Sequence, residues 1–216
     1  MTVPRGVAQA VGAHTAAGPV PFVPEVRLFQ ARDAVALWEA LEAVRGRQLS
    51  PPFWAFPWAG GQAVARYVLD HPELVRDRPV LDLAAGSGLV AIAAARAGAA
   101  AVRANEIDPD AVAAIGRNAA LNGVPVTVEE GDLLAGDAGG AEVVCAGDVF
   151  YRRPMAERVL PFLRRAAAAG ARVLVGDPGR AYLPRAALRA VAAYDVPVAP
   201  SLEDAPVKRT TVWTLG

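Results

Sequence analysis

A glycine-rich turn and one acidic residue after it carry the clearest chemistry in this sequence. Residues 86–91 read Gly-Ser-Gly-Leu-Val-Ala, which fits the pattern G-x-G-x-x-A. Glycines at such a turn let the backbone approach a ligand closely. Glu106 stands 20 residues after Gly86, at the end of the next apolar run, where its carboxylate could accept hydrogen bonds from both hydroxyls of a ribose. The turn and the acid together predict a nucleotide-cofactor site.

Asp82 helps to decide between two cofactors that use this geometry, a dinucleotide such as NAD and S-adenosylmethionine. It lies four residues before Gly86 inside an apolar run. A buried carboxylate costs several kcal/mol unless it is paired, and the dinucleotide fingerprint usually has only apolar residues at this place. An acid here therefore favours S-adenosylmethionine. Two alternatives stay open: Asp82 could cap a neighbouring turn, and the chain could be an NAD-dependent oxidoreductase.

The elements that must position these residues alternate between strand and helix from residue 79 onward. Strands are predicted at 80–83, 101–107, 124–129, 141–146 and 172–175, and helices at 89–97, 109–121, 154–168 and 183–192. Two late extended runs, 194–198 and 207–215, suggest a hairpin at the edge of the sheet. Alternating strands and helices imply an α/β fold whose parallel sheet is covered on both faces. We therefore expect a Rossmann-like, mostly parallel sheet of seven strands with an antiparallel C-terminal hairpin.

The first 78 residues show a weaker pattern. Residues 1–20 read as a loose N-terminal arm, and 33–44 as a helix with Asp33 at its N-terminal end. Residues 51–61 hold three prolines and four aromatic residues, so they predict an extended aromatic segment, followed by a helix over 62–69. We divide the chain into an N-terminal arm and helix, 1–50, and a main domain, 51–216.

Composition excludes several classes of protein. The chain has 22 basic residues (lysine and arginine) and 22 acidic residues (aspartate and glutamate), so its net charge is zero. Proteins that bind nucleic acid through overall positive charge usually have a basic excess, so this balance argues against nucleic acid as a partner. A single cysteine excludes an internal disulfide and a cysteine-built metal site, and we expect no metal. Alanine, with 48 copies, inflates the hydrophobic fraction of 54%. Without a continuous apolar run of membrane-spanning length or a secretory signal, we expect no membrane partner and a cytoplasmic location.

Three motifs resemble those of the class I, or seven-strand, S-adenosylmethionine-dependent methyltransferases. Residues 80–88 are similar to motif I of that family, 105–108 to its ribose-binding motif, and 131–133 to the motif whose acid meets the adenine amino group. Motif I departs slightly from the family pattern, but both of its glycines are kept. The resemblance implies S-adenosylmethionine as methyl donor and S-adenosylhomocysteine as product. It implies a cofactor site formed by Trp58, Asp82, Ala84, Gly86, Ser87, Gly88, Glu106, Ile107, Asp132, Leu133 and Asp148.

A narrower resemblance runs from about residue 23 to the C-terminus. The lead-in over 51–63 and the sequence Asp-Val-Phe-Tyr at 148–151 resemble the protein-lysine methyltransferases that carry an Asp-x-x-Tyr motif after the fourth strand. Residues 175–180 and 210–213 are similar to those members that methylate the electron transfer flavoprotein β subunit. The resemblance implies a protein-lysine N-methyltransferase with that subunit as its protein partner, and we expect a monomer.

Lysine methylation also suggests what the motif residues do. The attacking amine must be neutral, although the ordinary pKa of lysine is about 10.4. The resemblance assigns Asp148 to attracting and orienting the amine, and Tyr151 to bonding it or lining its channel, while Trp58 could pack against the cofactor. Asp148 could instead cap the following helix, and Tyr151 could simply pack at the rim.

Other functions remain as alternatives to protein-lysine methylation. A small-molecule N-methyltransferase of the nicotinamide type, or a methyltransferase of a ribosomal protein, would use the same fold. A methyltransferase of nucleic-acid bases is disfavoured because residues 148–151 lack its usual Asn/Asp-Pro-Pro-aromatic tetrad. A non-enzymatic module that keeps only the fold is disfavoured because Asp82, Gly86, Gly88, Glu106 and Asp148 are all present.

Overall fold

A seven-stranded sheet forms the centre of the computed structural model, which describes residues 4–198 and 205–216. The strands are β1 (Thr15–Val20), β2 (Val23–Ala31), β3 (Pro79–Leu83), β4 (Ala101–Glu106), β5 (Thr127–Glu130), β6 (Val143–Gly147), β7 (Arg172–Asp177), β8 (Leu188–Pro197) and β9 (Val207–Leu215). The helices are α1 (Arg5–His14), α2 (Ala34–Arg45), α3 (Ala59–Asp70), α4 (Leu89–Arg96), α5 (Pro109–Asn122) and α6 (Arg153–Ala168), with short 3-10 turns at Phe53–Ala55, Pro72–Leu74 and Arg185–Ala187.

The strand order of the large sheet is β5-β4-β3-β6-β7-β9-β8. Strands β3 to β7 pair in parallel, whereas β9 runs antiparallel to both β7 and β8. The predicted fold class is therefore confirmed, including the C-terminal hairpin. The chain turns outward from β3 in both directions, and ligands of open α/β sheets bind at such a switch point, beyond the carboxyl ends of the strands.

Two apolar layers hold helices against the two faces of the sheet. Successive residues of β6 alternate between them: Val143 and Cys145 face the layer with α3 and α4, and Val144 and Ala146 face the layer with α6. A buried parallel strand reads as a continuous apolar run for this reason. Cys145 is free and buried. Within the described residues, no helix is long and apolar enough to cross a membrane.

The N-terminal region is more ordered than the sequence predicted. The described part of the expected loose arm, from residue 4, forms α1 and β1, while residues 1–3 lie outside the described residues. Strands β1 and β2 pair as an antiparallel hairpin that places Val20, Val23, Val26 and Leu28 in the main core. The prediction was wrong because this burial is tertiary and leaves only a weak local pattern. The domain boundary at residue 50 stays a prediction.

The helix predicted over 183–192 is also wrong. The structure has a 3-10 turn at Arg185–Ala187, after which β8 begins at Leu188. The alanines of this region favour a helix locally, but β8 pairs with β9 from Leu188 to Pro197, with one irregularity. The predicted aromatic segment contains the 3-10 turn at Phe53–Ala55, and α3 begins at Ala59, three residues before the predicted start.

Candidate functional site

The glycine turn joins β3 to α4 and is tied to Glu106 at the end of β4. Ala84, Gly86 and Gly88 all have positive φ, at 52°, 54° and 77°. That conformation is costly for an L side chain, so alanine at residue 84 marks backbone strain at the turn. The Gly86 amide donates to Glu106 Oε2 at 3.0 Å, and the Ile107 amide donates to Oε1 at 2.7 Å. The predicted pairing of turn and acid is therefore present in space.

Asp82 lies directly beneath this turn. It is 2% exposed, and its Oδ2 accepts a hydrogen bond from the Ala91 amide at 2.9 Å, in the first turn of α4. Burial raises the pKa of Asp82 to about 7, with the charge of Glu106 adding to the rise and the Ala91 hydrogen bond opposing it. Asp82 thus caps α4 and fixes the glycine turn to β3, which was the alternative left open for this residue.

Two buried asparagines that the sequence analysis missed hold the turn and its neighbouring loop. Asn118 of α5 donates to the Ser87 carbonyl at 2.8 Å and accepts from the Phe29 amide at 2.9 Å, which ties buried Ser87 to the N-terminal hairpin. Asn105 donates to two carbonyl oxygens, that of Glu129 in β5 and that of Gly131 directly after β5. Their signal was burial, which a single sequence does not display.

Three residues assigned to the cofactor site, among them the acid expected to meet the adenine, lie beyond β4 and β5. Ile107 is 68% exposed, an apolar side chain directly after Glu106. Leu133 is partly buried against the α6 layer. Asp132 is exposed, and its Oδ2 pairs with Arg158 at 2.7 Å, which lowers the pKa of Asp132. Ile107 and Leu133 therefore suit an adenine ring, whereas Asp132 already has a cationic partner.

Asp148 follows β6 and has two sets of partners that the sequence did not show. Its Oδ2 accepts from the amides of Gly60 at 2.5 Å and Gly61 at 3.2 Å, in the first turn of α3. Its Oδ1 accepts from Arg180 Nη2 at 2.9 Å and Nε at 3.1 Å. The helix that Asp148 caps is α3, not the following helix α6, whose N-cap residue is Arg152.

Glycines make this arrangement possible because α3 begins directly on the ends of β6 and β7. A Cβ at Gly60 would lie 2.5 Å from Asp148 Oδ2 and closer still to the Gly176 carbonyl oxygen. A Cβ at Gly147 would lie 2.7 Å from Gly61 Cα. The side chain of Asp148 reaches the amides of α3 only because these positions carry no side chain.

The charge of Asp148 is balanced by Arg180. Burial raises the pKa of Asp148 to about 6, Arg180 opposes the rise, and the charge of Asp177 adds to it. Asp177 Oδ1 accepts from the amides of Gly179 and Arg180, both at 2.6 Å, and so forms the turn that aims Arg180. The Oδ2 of Asp177 is buried with no hydrogen-bond partner among the described residues. The carboxylate expected to attract the amine is therefore already held in an ion pair.

Aromatic side chains form a wall beside this ion pair. The Phe53 ring centroid lies 5.9 Å from that of Trp58 and 5.7 Å from that of Tyr151. Trp58 Nε1 donates to the Phe53 carbonyl at 2.7 Å, and the Arg180 guanidinium lies 5.7 Å from the Trp58 ring. Trp58 and Tyr151 thus lie with Asp148 at one place. Their roles toward cofactor and substrate stay predictions.

The arrangement has two halves at one edge of the sheet. The ends of β3 and β4 carry the glycine turn and Glu106, which could hold a nucleoside. The ends of β6 and β7 carry Asp148, Arg180 and the aromatic wall, which suit a basic side chain. Among the described residues, no group of three or more His, Cys, Asp or Glu is placed to hold a metal ion.

Sequence comparisons identify relatives of this chain. Over 173 residues the chain is 39% identical to the electron transfer flavoprotein beta subunit lysine methyltransferase of Xenopus laevis, covering 78% of this chain and 68% of that protein. Its identity to the Rattus norvegicus protein of the same name is 44% over 133 residues, covering 61% of this chain and about half, 52%, of the relative. The family model for ribosomal protein L11 methyltransferase (PrmA) matches residues 67–147.

Solved structures agree on the fold. The ribosomal protein L11 methylase of Lactobacillus delbrueckii subsp. bulgaricus matches with a TM-score of 0.50 and 22% identity, covering 70% of this chain and 76% of that one. The magnesium protoporphyrin IX methyltransferase of Synechocystis PCC 6803, solved with S-adenosylmethionine bound, matches with a TM-score of 0.53 and 16% identity, covering 72% of this chain and 78% of that one. By its sequence similarity, and consistently with its fold, the chain belongs to the electron transfer flavoprotein beta subunit lysine methyltransferases, a family of S-adenosylmethionine-dependent methyltransferases.

Proposed function

We propose that this chain transfers methyl groups from S-adenosylmethionine to lysine side chains of a protein, and that the protein is the electron transfer flavoprotein β subunit. The observation that carries the proposal is the buried Asp148, held by α3 and Arg180 next to the glycine turn. The family model for ribosomal protein L11 methyltransferase matches residues 67–147 and so does not include Asp148. The match to the lysine methyltransferases covers 78% of the chain.

The residues around the turn fit S-adenosylmethionine. Glu106 Oε2 accepts one backbone amide and so keeps a lone pair for a ribose hydroxyl, whereas Oε1 accepts from the amides of Ile107 and Asp108, and a second hydroxyl would replace the longer bond from Asp108, at 3.3 Å. Exposed Ile107 can cover one face of an adenine ring. Glycines at residues 86 and 88 leave the backbone open toward the methionine end. The bound cofactor would supply a sulfonium methyl group, and no metal is needed for its transfer.

The acceptor half suits a lysine that must lose its proton before it attacks. Arg180 places a positive charge beside the amine and so lowers the pKa of the lysine. Both oxygens of Asp148 already accept two hydrogen bonds, so the amine would take the place of one of the two Arg180 donors on Oδ1 to donate an N–H there and be oriented. Trp58, Phe53 and Tyr151 shield the reacting atoms from water. The amine nitrogen forms the bond to the methyl carbon as the carbon–sulfur bond breaks, and the product ammonium then releases a proton to solvent.

Action in the cytoplasm, as a monomer and without metal, nucleic acid or membrane, remains part of this proposal and rests on composition and motifs. Sedimentation, metal content and nucleic-acid binding of the purified chain check the oligomeric state, the metal and the nucleic acid, and fractionation of host cells checks the location and the membrane.

The test is methylation of the purified electron transfer flavoprotein β subunit from the same host, with labelled S-adenosylmethionine and mass spectrometry of the product. We expect label on lysine. Asp148→Asn should lower the rate by about 100-fold or more, with cofactor affinity kept within a few fold. Methylation of ribosomal protein L11 in place of the flavoprotein subunit, or label on neither protein, would overturn the proposed substrate.

A matched pair of variants tests the cofactor half. Glu106→Ala should weaken S-adenosylmethionine binding by roughly 10- to 100-fold, because it removes two hydrogen bonds to ribose. Glu130→Ala is the control, since Glu130 is an exposed carboxylate opposite Glu106 on the neighbouring strand. We expect it to bind like the parent chain. Equal affinity for both variants would contradict the ribose assignment.

A further inference from the structure

Positive charge is concentrated on one part of a chain whose net charge is zero. Residues 151–189 hold nine arginines and only two acidic residues, Glu157 and Asp177. This stretch includes α6, β7 and the turns that follow, and it begins next to Asp148. A local excess of this size creates a positive field around the edge of the proposed lysine site, although the whole chain is neutral.

Three of these arginines lie with two tyrosines near Asp148, and we call the five residues the arginine rim: Tyr151, Arg152, Arg153, Tyr182 and Arg185. Arg152 Nη2 donates to Tyr151 Oη at 3.0 Å, with its guanidinium 5.0 Å from the Tyr151 ring. The Arg153 guanidinium lies 5.7 Å from the Tyr182 ring.

Two contacts attach the rim to the lysine site. The Tyr182 amide donates to the carbonyl oxygen of Phe150 at 3.2 Å, which joins the loop after β7 to the Asp-x-x-Tyr segment. Arg185 Nη2 lies 3.0 Å from the position that a Cβ on Gly179 would occupy, directly beside the turn that carries Arg180. The rim therefore lies beside the segments that carry Asp148 and Arg180.

The rim arginines are exposed, and none forms an ion pair with a carboxylate within residues 4–198 and 205–216. Arg185 still lies near Asp177: burial raises the pKa of Asp177, and the charge of Arg185 is one of those that oppose the rise. Farther along the same helix, Arg158 does have one, Asp132 at 2.7 Å. Stacking on tyrosine rings orders the guanidinium groups, so that less entropy is lost when each binds a carboxylate through two hydrogen bonds.

The position of Arg152 and Arg153 is also unfavourable for helix α6 itself. They are its N-cap and first residues, and its first turn holds no acidic residue. Cations at a helix N-terminus oppose the helix dipole. These two arginines disfavour the helix, and no contact to a carboxylate among the described residues compensates for them. Residues that destabilise their own element in this way are expected where a surface serves binding.

We propose that the arginine rim docks an acidic segment of the protein substrate and so selects the lysine that reaches Asp148. The inference rests on the proposed function and adds the chemistry of the substrate surface: carboxylates close to the target lysine. Bidentate pairs between arginine and carboxylate would set the register of the substrate segment on the enzyme, while Asp148 and Arg180 act on the amine.

The test compares two double charge reversals. Arg152→Glu with Arg153→Glu alters the rim. Arg76→Glu with Arg172→Glu is the control, because both arginines are exposed without a described carboxylate partner and lie near the amino ends of β3 and β7, at the opposite edge of the sheet. Circular dichroism and S-adenosylmethionine affinity verify the folding of each variant. With the flavoprotein β subunit as substrate, we expect the rim variant to raise KM about tenfold or more with kcat within about threefold.

Salt dependence provides a second readout. For the parent chain and the control, log kcat/KM should fall as sodium chloride rises, and the rim variant should show a flatter slope. Unchanged KM and an unchanged slope in the rim variant would overturn the proposal, while lysine methylation by the parent chain would leave the proposed function intact. Stronger inhibition by polyuridylate than by poly-L-glutamate of equal charge would also overturn it, because the rim would then prefer nucleic acid.

Binding without catalysis separates the two proposals. Fluorescent poly-L-glutamate should bind the parent chain and the control equally and the rim variant about tenfold more weakly. This result would support the rim even if the flavoprotein β subunit is not methylated. Equal binding by all three proteins would refute it.

Discussion

The close approach of α3 to the sheet makes a sharp prediction about two neighbouring glycines. In Gly60→Ala the new Cβ would lie 2.5 Å from Asp148 Oδ2 and 2.7 Å from the Asp148 amide nitrogen, whereas ordinary contact begins near 3.4 Å. The obstacles are backbone atoms and a carboxylate held by Arg180, so no flexible side chain can move aside. The start of α3 would have to shift by roughly 1 Å.

The expected loss of stability follows from these distances. Overpacking costs about 1–3 kcal/mol. Weakening the hydrogen bond from the Gly60 amide to the Asp148 carboxylate costs about 1.5–3 kcal/mol. Alanine favours a helix over glycine by roughly 0.5–1 kcal/mol, which offsets part of the loss. We therefore expect Gly60→Ala to lower the free energy of unfolding by about 2–4 kcal/mol, or Tm by roughly 4–16 °C.

Gly61→Ala is the matched control, because its Cβ would meet only Leu89 Cδ2 at 4.0 Å. It should leave the free energy of unfolding unchanged or raise it by up to about 1 kcal/mol. Urea denaturation followed by circular dichroism measures both variants, and their methylation rates should fall in the same order. If Gly60→Ala proves as stable as Gly61→Ala, the direct packing of α3 on β6 and β7 is refuted.

Three further predictions concern buried groups. Burial raises the pKa of Asp82 from 3.8 to about 7, so the folded state loses stability as the pH rises from about 4 to 7. Asp82→Asn keeps an oxygen for the Ala91 amide but cannot ionise, so it should show a smaller drop in Tm between pH 5 and pH 8 than the parent chain. An equal drop in both proteins would contradict the raised pKa of Asp82. In a plot of log kcat/KM against pH, the slope should be near two below pH 6, where both the lysine and Asp148 must lose a proton, and near one above pH 6, where only the lysine must. Arg180→Ala removes the charge that opposes the raised pKa of Asp148, so the change of slope should move to higher pH. A change of slope at the same pH would show that Arg180 does not hold down the pKa of Asp148. Cys145 is fully buried, and burial raises the pKa of its thiol. A thiol reagent at pH 8 should therefore label Cys145 in urea but not in the native chain. Rapid labelling of the native chain would contradict the burial of Cys145.

The parts of the fold that the sequence predicted are those with strong local patterns. The strand, glycine turn and helix of residues 79–97 are visible as an apolar run, a turn and an alanine-rich segment, and the structure places them as expected. Residues 188–193 have no such pattern, since their alanines favour a helix and only pairing with β9 makes them a strand, whereas the extended run predicted from residue 194 is part of β8. The hairpin of β1 and β2 is similar, because its valines are buried by helices distant in sequence.

In the candidate site, too, the locally encoded residues were predictable and the distant contacts were not. By itself the sequence determined the cofactor half, because the glycine turn and Glu106 are placed by one strand–turn–helix–strand unit of 28 residues, 79–106. Only the tertiary structure decided the state of Asp148, whose partners Gly60 and Arg180 lie 88 and 32 residues away in the chain. A sequence motif that contains an aspartate shows only that a carboxylate is present. Whether it is open, capped or paired depends on which helix ends and turns the sheet brings to its edge.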